Sequence, residues 1–139
     1  MMRKKFTLVV VLFSLLLGSC SIEEDEPNFY FTSLPINSAE LPEAFSLNQT
    51  YQINVTYSLP DGCTQYEGFD VTQEDTTVRN VVAVGVAMTD LVSCTQVVTE
   101  EEASFNFIVK YNQPYTFRFY QGENNEGEPE FLEVVVPVN

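Results

Sequence analysis

Apolar and polar side chains alternate one by one along most of the chain that follows residue 50. Between residues 51 and 59, apolar side chains occupy every second position and polar ones lie between them. A period of two places one set of side chains on a core and the other in water, which is the pattern of a half-buried β-strand. Residues 51–59 are therefore predicted to form a strand.

Similar segments follow, separated by turn signals such as Leu59-Pro60-Asp61-Gly62, in which proline fixes one backbone angle and glycine accepts positive φ. No apolar stripe of helical period extends beyond two turns after residue 20. About seven short strands with intervening turns predict an all-β fold, an antiparallel β-sandwich. The predicted strands are an edge strand near residues 29–31 and the segments 51–59, 64–72, 78–88, 105–111, 115–120 and 132–138.

The valine-rich segment 78–88 carries apolar or small residues on both of its faces. Val82, Val84, Val86 and Met88 share one face, and Val81, Ala83 and Gly85 share the other. This pattern predicts a strand that is covered on both sides or that flanks a contact surface.

The first 20 residues have the character of a targeting segment. A cationic start at residues 1–5 leads into an apolar run over residues 6–17, which is too short to span a bilayer comfortably. The run ends in Leu17-Gly18-Ser19-Cys20, which resembles the lipobox of bacterial lipoproteins. The resemblance implies cleavage after Ser19, a diacylglyceryl group on the Cys20 thiol and attachment to the membrane through that lipid. The alternative is an ordinary signal peptide that a cysteine follows by chance.

Four consecutive acidic residues, Glu23, Glu24, Asp25 and Glu26, follow the cysteine. Such a run is typical of a solvated spacer, because like charges extend the chain. It also resembles the acidic export signal of surface-exposed lipoproteins in Bacteroidota. That resemblance implies an outer-membrane location with display on the cell surface, against the alternative of attachment facing the periplasm.

These features divide the chain into a signal peptide at 1–19, a lipidated cysteine with an acidic tether and a proline-containing lead-in at 20–43, and a β-sandwich domain at 44–139. Removal of residues 1–19 from the 139-residue chain leaves 120 residues, enough for one domain. Three cations then remain against 20 acidic residues, a formal charge of −17. Nucleic acid is excluded as a partner because its binding requires a basic face.

Cys63 and Cys94 remain as an even pair once lipid occupies Cys20. In an oxidising compartment they are predicted to form one disulfide. The chain has no histidine, so it lacks the commonest general base and the usual zinc ligands. We therefore expect neither catalytic activity nor a cofactor.

The last strands add a resemblance in architecture. The strand at 114–122, a polar loop and the strand at 131–138 are similar to the closing hairpin of small immunoglobulin-like lipoproteins of Bacteroidota. Tyr115, two residues before Phe117, stands where such sandwiches carry a tyrosine corner. The resemblance implies an immunoglobulin-like sandwich on the outer membrane. It names no ligand, because fold alone does not determine function.

Three candidate sites accompany this interpretation. Asn124, Glu126 and Glu133 match part of a calcium-loop frame only weakly, because Gly122 stands at its first position. The tyrosines and phenylalanines are expected to be mostly core, with Tyr66 and Tyr120 as the more exposed tyrosines. A third set of acidic residues is hypothesised to meet at one end of the sandwich: Asp61, Asp70, Glu74, Asp75 and Asp90.

The predicted function is a lipid-anchored binding or structural module of the cell envelope. Its expected partners are the membrane, through Cys20, and other envelope proteins. The main alternative is a surface domain that binds glycan or calcium. An acid-pair hydrolase is a remote alternative, since it requires two carboxylates that flank a cleft.

Overall fold

The structure, a computed structural model, describes Glu26 and residues 28–139. The predicted signal peptide at 1–19, Cys20, Glu23, Glu24 and Asp25 lie outside the described residues. Within them the chain forms eight strands and no helix. The strands are β1 (Phe29–Leu34), β2 (Ile36–Glu40), β3 (Thr50–Leu59), β4 (Thr64–Asp75), β5 (Val78–Met88), β6 (Thr99–Ile108), β7 (Tyr115–Glu123) and β8 (Pro129–Val136).

The strands form two sheets, which confirms the predicted β-sandwich. The larger sheet contains β4, β5, β1, β7 and β8, and the smaller sheet has the order β2-β3-β6. Along one edge of β5 runs β4, while the other edge is shared: β1 pairs with residues 83–88 and β7 with residues 78–81. The chain passes from one sheet to the other at Pro35, between β1 and β2. Proline suits this position because it has no N–H that a ladder would need.

Two expectations about the strands need correction. The count is eight rather than about seven, because Ile36–Glu40, which lies in the predicted lead-in, forms β2 in the smaller sheet. The sandwich is not wholly antiparallel, because β5 and β7 pair in parallel. After β5 the chain crosses to the smaller sheet to form β6, so β7 returns to the larger sheet in the direction of β5. Pairing within the sheets begins at Phe29, in the edge strand predicted near residues 29–31.

The core lies between the sheets and follows the predicted alternation. On β3 the side chains of Ile53 and Val55 are fully buried, and on β5 those of Val81 and Ala83 are fully buried. Val82, Val84, Val86 and Met88 lie on the outer face of β5 and are only partly covered. Gly85 interrupts the valine run where Leu34 approaches, because a Cβ at Gly85 would lie 2.9 Å from a Leu34 methyl carbon.

Arg79 is a buried cation near the start of β5, next to the β4–β5 turn. One guanidinium nitrogen donates to the carbonyls of Asp75, Thr76 and Val78 at 3.0 to 3.2 Å. The group also lies 5.4 Å from the ring centre of Tyr115. Arg79 therefore closes the β4–β5 turn with its positive end while its stem packs in the core.

Tyr115 fixes the connection between β6 and β7. Its side chain is fully buried, and its hydroxyl accepts the backbone N–H groups of Lys110 and Tyr111 at 3.1 and 3.0 Å. A tyrosine that bonds back to the backbone a few residues upstream has the geometry of a tyrosine corner. The structure therefore places Tyr115 in the role that its position in the sequence suggested.

Tyr115→Phe is expected to lower the free energy of unfolding by about 1 to 3 kcal/mol, because two backbone N–H groups lose their acceptor. Denaturant unfolding of the folded domain measures this change. Tyr111→Phe is the matched control. The Tyr111 side chain is 41% exposed, and the substitution removes a hydroxyl without affecting the tyrosine corner at Tyr115. Equal stabilities for Tyr115→Phe and Tyr111→Phe would contradict the role of the corner.

Candidate functional site: an acidic aromatic cleft

A cleft opens between the two sheets where β3 ends and β4 and β6 begin. Its volume is about 410 Å³. Aromatic, acidic and neutral polar side chains line it, and none of the described residues that line it is a cation. The lining residues are Tyr57, Leu59, Asp61, Gly62, Thr64, Gln65, Tyr66, Thr99 and Glu101.

One wall of the cleft is the turn between β3 and β4. Asp61 holds this turn, because one of its carboxylate oxygens accepts both the backbone N–H of Cys63 and the hydroxyl of Thr64 at 2.9 Å. The Gly62 N–H donates to the Thr95 carbonyl at 2.9 Å, so the turn is also bound to the β5–β6 loop. The sequence predicted this turn from Pro60 and Gly62, and the structure shows that the hydrogen bonds of Asp61 fix its shape.

A disulfide between Cys63 and Cys94 reinforces that wall, as predicted. The two Cα atoms lie 5.3 Å apart, and 31 positions separate the residues along the chain. Closing a loop of this length stabilises a fold by about 3 to 4 kcal/mol in the chain-entropy model. We call this end of the sandwich, with the turn at 60–63 and the loop at 89–98, the disulfide end.

Two stacked tyrosines form the floor of the cleft. The rings of Tyr57 and Tyr66 lie 4.7 Å apart between centres, with 21° between their planes. Phe69 meets Tyr66 edge to face at 5.3 Å, which ties the pair to the core.

The expectation that Tyr66 and Tyr120 are the exposed tyrosines is wrong, because both are partly buried. The more exposed tyrosines are Tyr30 and Tyr111.

Glu101 contributes a carboxylate to the mouth of the cleft. It lies directly opposite Tyr57 in the β3–β6 ladder, and the Tyr57 hydroxyl donates to it at 3.3 Å. Burial, together with the negative charge and hydrogen bond of Glu101, raises the pKa of Tyr57 to about 12. Burial also raises the pKa of Tyr66. Both phenols therefore keep their protons at physiological pH and present ring surface and hydrogen-bonding groups to the cleft.

The five acidic residues expected to meet at one end do not do so. Asp61 and Asp90 lie at the disulfide end, where Asp90 accepts a hydrogen bond from the Asn28 side chain. Glu74 and Asp75 lie at the other end of β4. A strand that runs the length of the sheet separates the two groups, so they form no common site.

The weak calcium candidates are also occupied by other partners. The Asn124 side-chain oxygen accepts hydrogen bonds from the backbone N–H groups of Glu126 and Glu128, so its bonds stay within the β7–β8 loop. Glu133 pairs with Arg118 at 3.1 Å. Across Glu26 and residues 28–139, no group of three histidine, cysteine, aspartate or glutamate side chains is placed to hold a metal ion.

A comparison with known families covers this region. The model of a family described as the ORF11 beta-sandwich domain matches residues 53–131. The chain belongs to the ORF11 beta-sandwich domain family. The match runs from β3 into β8 and includes every residue of the cleft and the disulfide, so the cleft is built within the ORF11 beta-sandwich domain itself. No curated protein and no solved structure matches the chain.

The partnership of Tyr57 with Glu101 was missed from the sequence. Both residues stand in segments with a clear pattern, but 44 positions separate them, and only the strand register brings them together. The signal available in advance was the acidic triplet at 100–102, in which alternation assigns Glu101 to a different face from its two neighbours.

Tyr57→Phe tests the environment of the cleft through pH. The native state keeps the Tyr57 proton up to about pH 12, whereas the unfolded chain releases it near pH 10, so the native state binds more protons between those values. The free energy of unfolding is therefore expected to fall as pH rises from 10 to 12, by about 2 to 3 kcal/mol from this group. Denaturant midpoints along that pH range should fall less steeply for Tyr57→Phe than for the unchanged protein. Identical slopes would contradict the shifted pKa.

Proposed function

We propose that this ORF11 beta-sandwich domain is a lipid-anchored, non-catalytic binding module of the bacterial cell envelope. The observation that carries the proposal is the cleft, where stacked tyrosine rings lie beside the carboxylates of Asp61 and Glu101. The ligand that fits this chemistry is a cationic group, an arginine or lysine side chain of a partner protein. A carboxylate pairs with such a group, and a tyrosine face attracts it.

The overall charge favours the same class of ligand. The chain that follows Ser19 has a formal charge of −17, so its field attracts a basic partner and accelerates the encounter. Inside a partly enclosed cleft, the attraction between a carboxylate and a guanidinium is stronger than on an open surface, because water screens it less.

The anchor is proposed from the lipobox at Leu17-Gly18-Ser19-Cys20. Two or more acyl chains on one residue hold a protein stably to a membrane, so the lipid on Cys20 suffices as an anchor. In the part of the chain that the structure describes, no helix is long and apolar enough to cross a bilayer. The acidic run at residues 23–26 supports placement on the outer membrane with display at the cell surface, as in the lipoproteins of Bacteroidota that it resembles.

The proposal also includes the type of β-sandwich that the domain forms. An immunoglobulin-like ancestry is supported by the tyrosine corner at Tyr115 and by the antiparallel pairs β3–β6 and β7–β8. The parallel pairing of β5 with β7 departs from the pattern of that fold. We therefore propose an immunoglobulin-like sandwich in which the middle strands are rearranged.

A glycan is the second candidate ligand for the cleft. Sugars stack on aromatic rings and bond to amide, hydroxyl and carboxylate groups, and Gln65, Thr64 and Thr99 supply such neutral groups beside Tyr66. Calcium finds no comparable support, because the Asn124 side-chain oxygen accepts N–H groups of its own loop and Glu133 pairs with Arg118. The acid-pair hydrolase is weaker than either binding candidate. Of the two carboxylates that line the cleft, Asp61 holds the β3–β4 turn and Glu101 accepts the Tyr57 hydroxyl.

Cys20→Ala is expected to release the protein from the membrane fraction, because the lipid on Cys20 is the proposed attachment. Fractionation of cells that produce the full chain measures this, and mass spectrometry of the amino-terminal peptide identifies the lipid. Cys63→Ala is the control, since it also removes a cysteine but leaves the lipidation site. A Cys20→Ala protein that remains in the membrane fraction would refute the lipid anchor.

Glu101→Gln is expected to weaken the binding of an arginine-rich peptide about tenfold, which corresponds to about 1.4 kcal/mol. Calorimetric titration of the lipidated protein in detergent measures this. Glu102→Gln is the matched control, because Glu102 is the next residue of β6, has the same charge and faces away from the cleft. Equal losses in the two variants would show that only net charge matters and would contradict a cationic site in the cleft.

The same titration separates the candidate ligands. Saturable heat with a glycan panel and none with the peptide would favour the sugar alternative, with Tyr66→Ala as the variant that should abolish it. Heat with neither ligand would contradict the proposed use of the cleft.

A further inference from the structure

The loop at 89–98 exposes an unusual concentration of apolar side chains. Leu91 is 50% exposed, Val92 is completely exposed, and Val97 and Val98 are 63% and 64% exposed. Exposed apolar side chains are common singly, but a cluster of them marks a contact surface. Among the described residues, four of the eleven exposed large apolar side chains lie in this one loop: Leu91, Val92, Val97 and Val98.

The loop is fixed to the body of the sandwich at several points. Cys94 is bonded to Cys63, and the Thr95 carbonyl accepts the Gly62 N–H. At the start of the loop, the Thr89 N–H donates to the Asn28 carbonyl at 2.7 Å, and the Asn28 side chain donates to Asp90 at 2.8 Å. These bonds hold the loop while Leu91 and Val92 project from it, so their exposure does not result from a lack of tertiary contacts.

The same bonds show where the chain enters the sandwich. Asn28, the residue before β1, lies beside Thr89 and Asp90 at the disulfide end. Cys20 precedes Asn28 by only eight residues, which span at most about 29 Å however they are arranged. A lipid on Cys20 therefore keeps this end of the sandwich close to the bilayer, and the four apolar side chains of the loop come within reach of it.

We infer that Leu91, Val92, Val97 and Val98 form a second membrane contact that inserts into the interfacial region of the bilayer. This inference rests on the lipid anchor of the proposed function. The segment 89–99 contains no lysine or arginine, and its one acidic side chain, Asp90, is paired with Asn28. The contact is therefore apolar and suits a zwitterionic lipid surface, because the strong negative charge of the chain opposes an anionic one.

This contact gives the anchor an orientation that lipid alone lacks. An acylated cysteine on a short tether fixes the distance of a domain from the membrane but leaves it free to rotate. A second, apolar contact made by a stapled loop removes that freedom and holds the disulfide end against the bilayer. The cleft lies at the same end, so a cationic group that it binds is met close to the membrane surface.

A tryptophan placed in the loop reports this contact directly. The chain contains no tryptophan, and Val92→Trp adds one at a fully exposed position, so its emission has a single source and the fold is preserved. The lipidated protein is reconstituted in phosphatidylcholine vesicles whose acyl chains carry bromine, which quenches indole on contact. Ile108→Trp is the matched control, because Ile108 is 50% exposed and lies at the opposite end of the sandwich.

The emission of Val92→Trp is expected to shift to shorter wavelength and to lose about half its intensity, as for a side chain buried about 5 to 10 Å into the interface, while Ile108→Trp keeps its emission. Protein that floats with the vesicles while Val92→Trp stays unquenched would overturn the inference and leave the loop to a protein partner, with the anchor intact. Protein that fails to float would overturn the lipid anchor and the inference with it. Equal quenching of both variants would also overturn it, because the sandwich would then lie on the membrane without a preferred end.

Discussion

The larger sheet depends on β5, because three other strands pair with it. One edge carries β4 along almost its whole length, and the other is divided between β1 and β7. The division requires β1 to leave the edge at Leu34, and Gly85 gives the Leu34 side chain the space to turn inward. After β1 the chain crosses to the smaller sheet at Pro35, and β7 pairs with the part of the β5 edge that β1 leaves uncovered. The order of every other strand follows from this arrangement.

The disulfide end follows from the direction of the same strand. Because β5 ends beside the start of β1 and the start of β4, its following loop, the β3–β4 turn and the entry of the chain are all brought together. The Cys63–Cys94 bond, the hydrogen bond from the Gly62 N–H to the Thr95 carbonyl and the hydrogen bonds of Asn28 with Thr89 and Asp90 then fix these segments to one another. The cleft and the apolar loop are therefore neighbours because of the topology, although their residues are far apart along the chain.

Local patterns predicted those parts of the fold that depend on local physics. Alternation identified β3 and β5 because each inward side chain is set by its own position in the pleat. The disulfide was predictable because Cys63 and Cys94 are an even pair once Cys20 is assigned to the predicted lipid, and the predicted oxidising compartment favours their pairing. The parallel β5–β7 pair was not, because a period of two is the same in parallel and antiparallel ladders.

The candidate site was harder to predict because it is made of long-range pairs. Tyr66 stands in a weakly patterned segment, and nothing local indicates that Tyr57 covers its ring. The acidic residues of β4 and its flanking turns were expected to meet, but β4 is long enough to hold them apart. The exposure of Val97 and Val98 could not be predicted, because valine is one of the side chains most often buried.

Charge and apolar surface have separate roles at the disulfide end. Residues 91–98 carry no charge, as do other stretches such as residues 44–60, but in this loop four of the uncharged side chains are apolar and exposed, and the adjacent Asp90 is bonded to Asn28. A surface that bound a basic partner everywhere would have no reason to interrupt its charge with four exposed apolar side chains. An apolar contact with lipid requires such an interruption, because bringing unpaired carboxylates to the interface costs free energy. Under the proposed lipid anchor, the tether would decide which surface the loop meets, since eight residues allow the disulfide end only a short distance from Cys20.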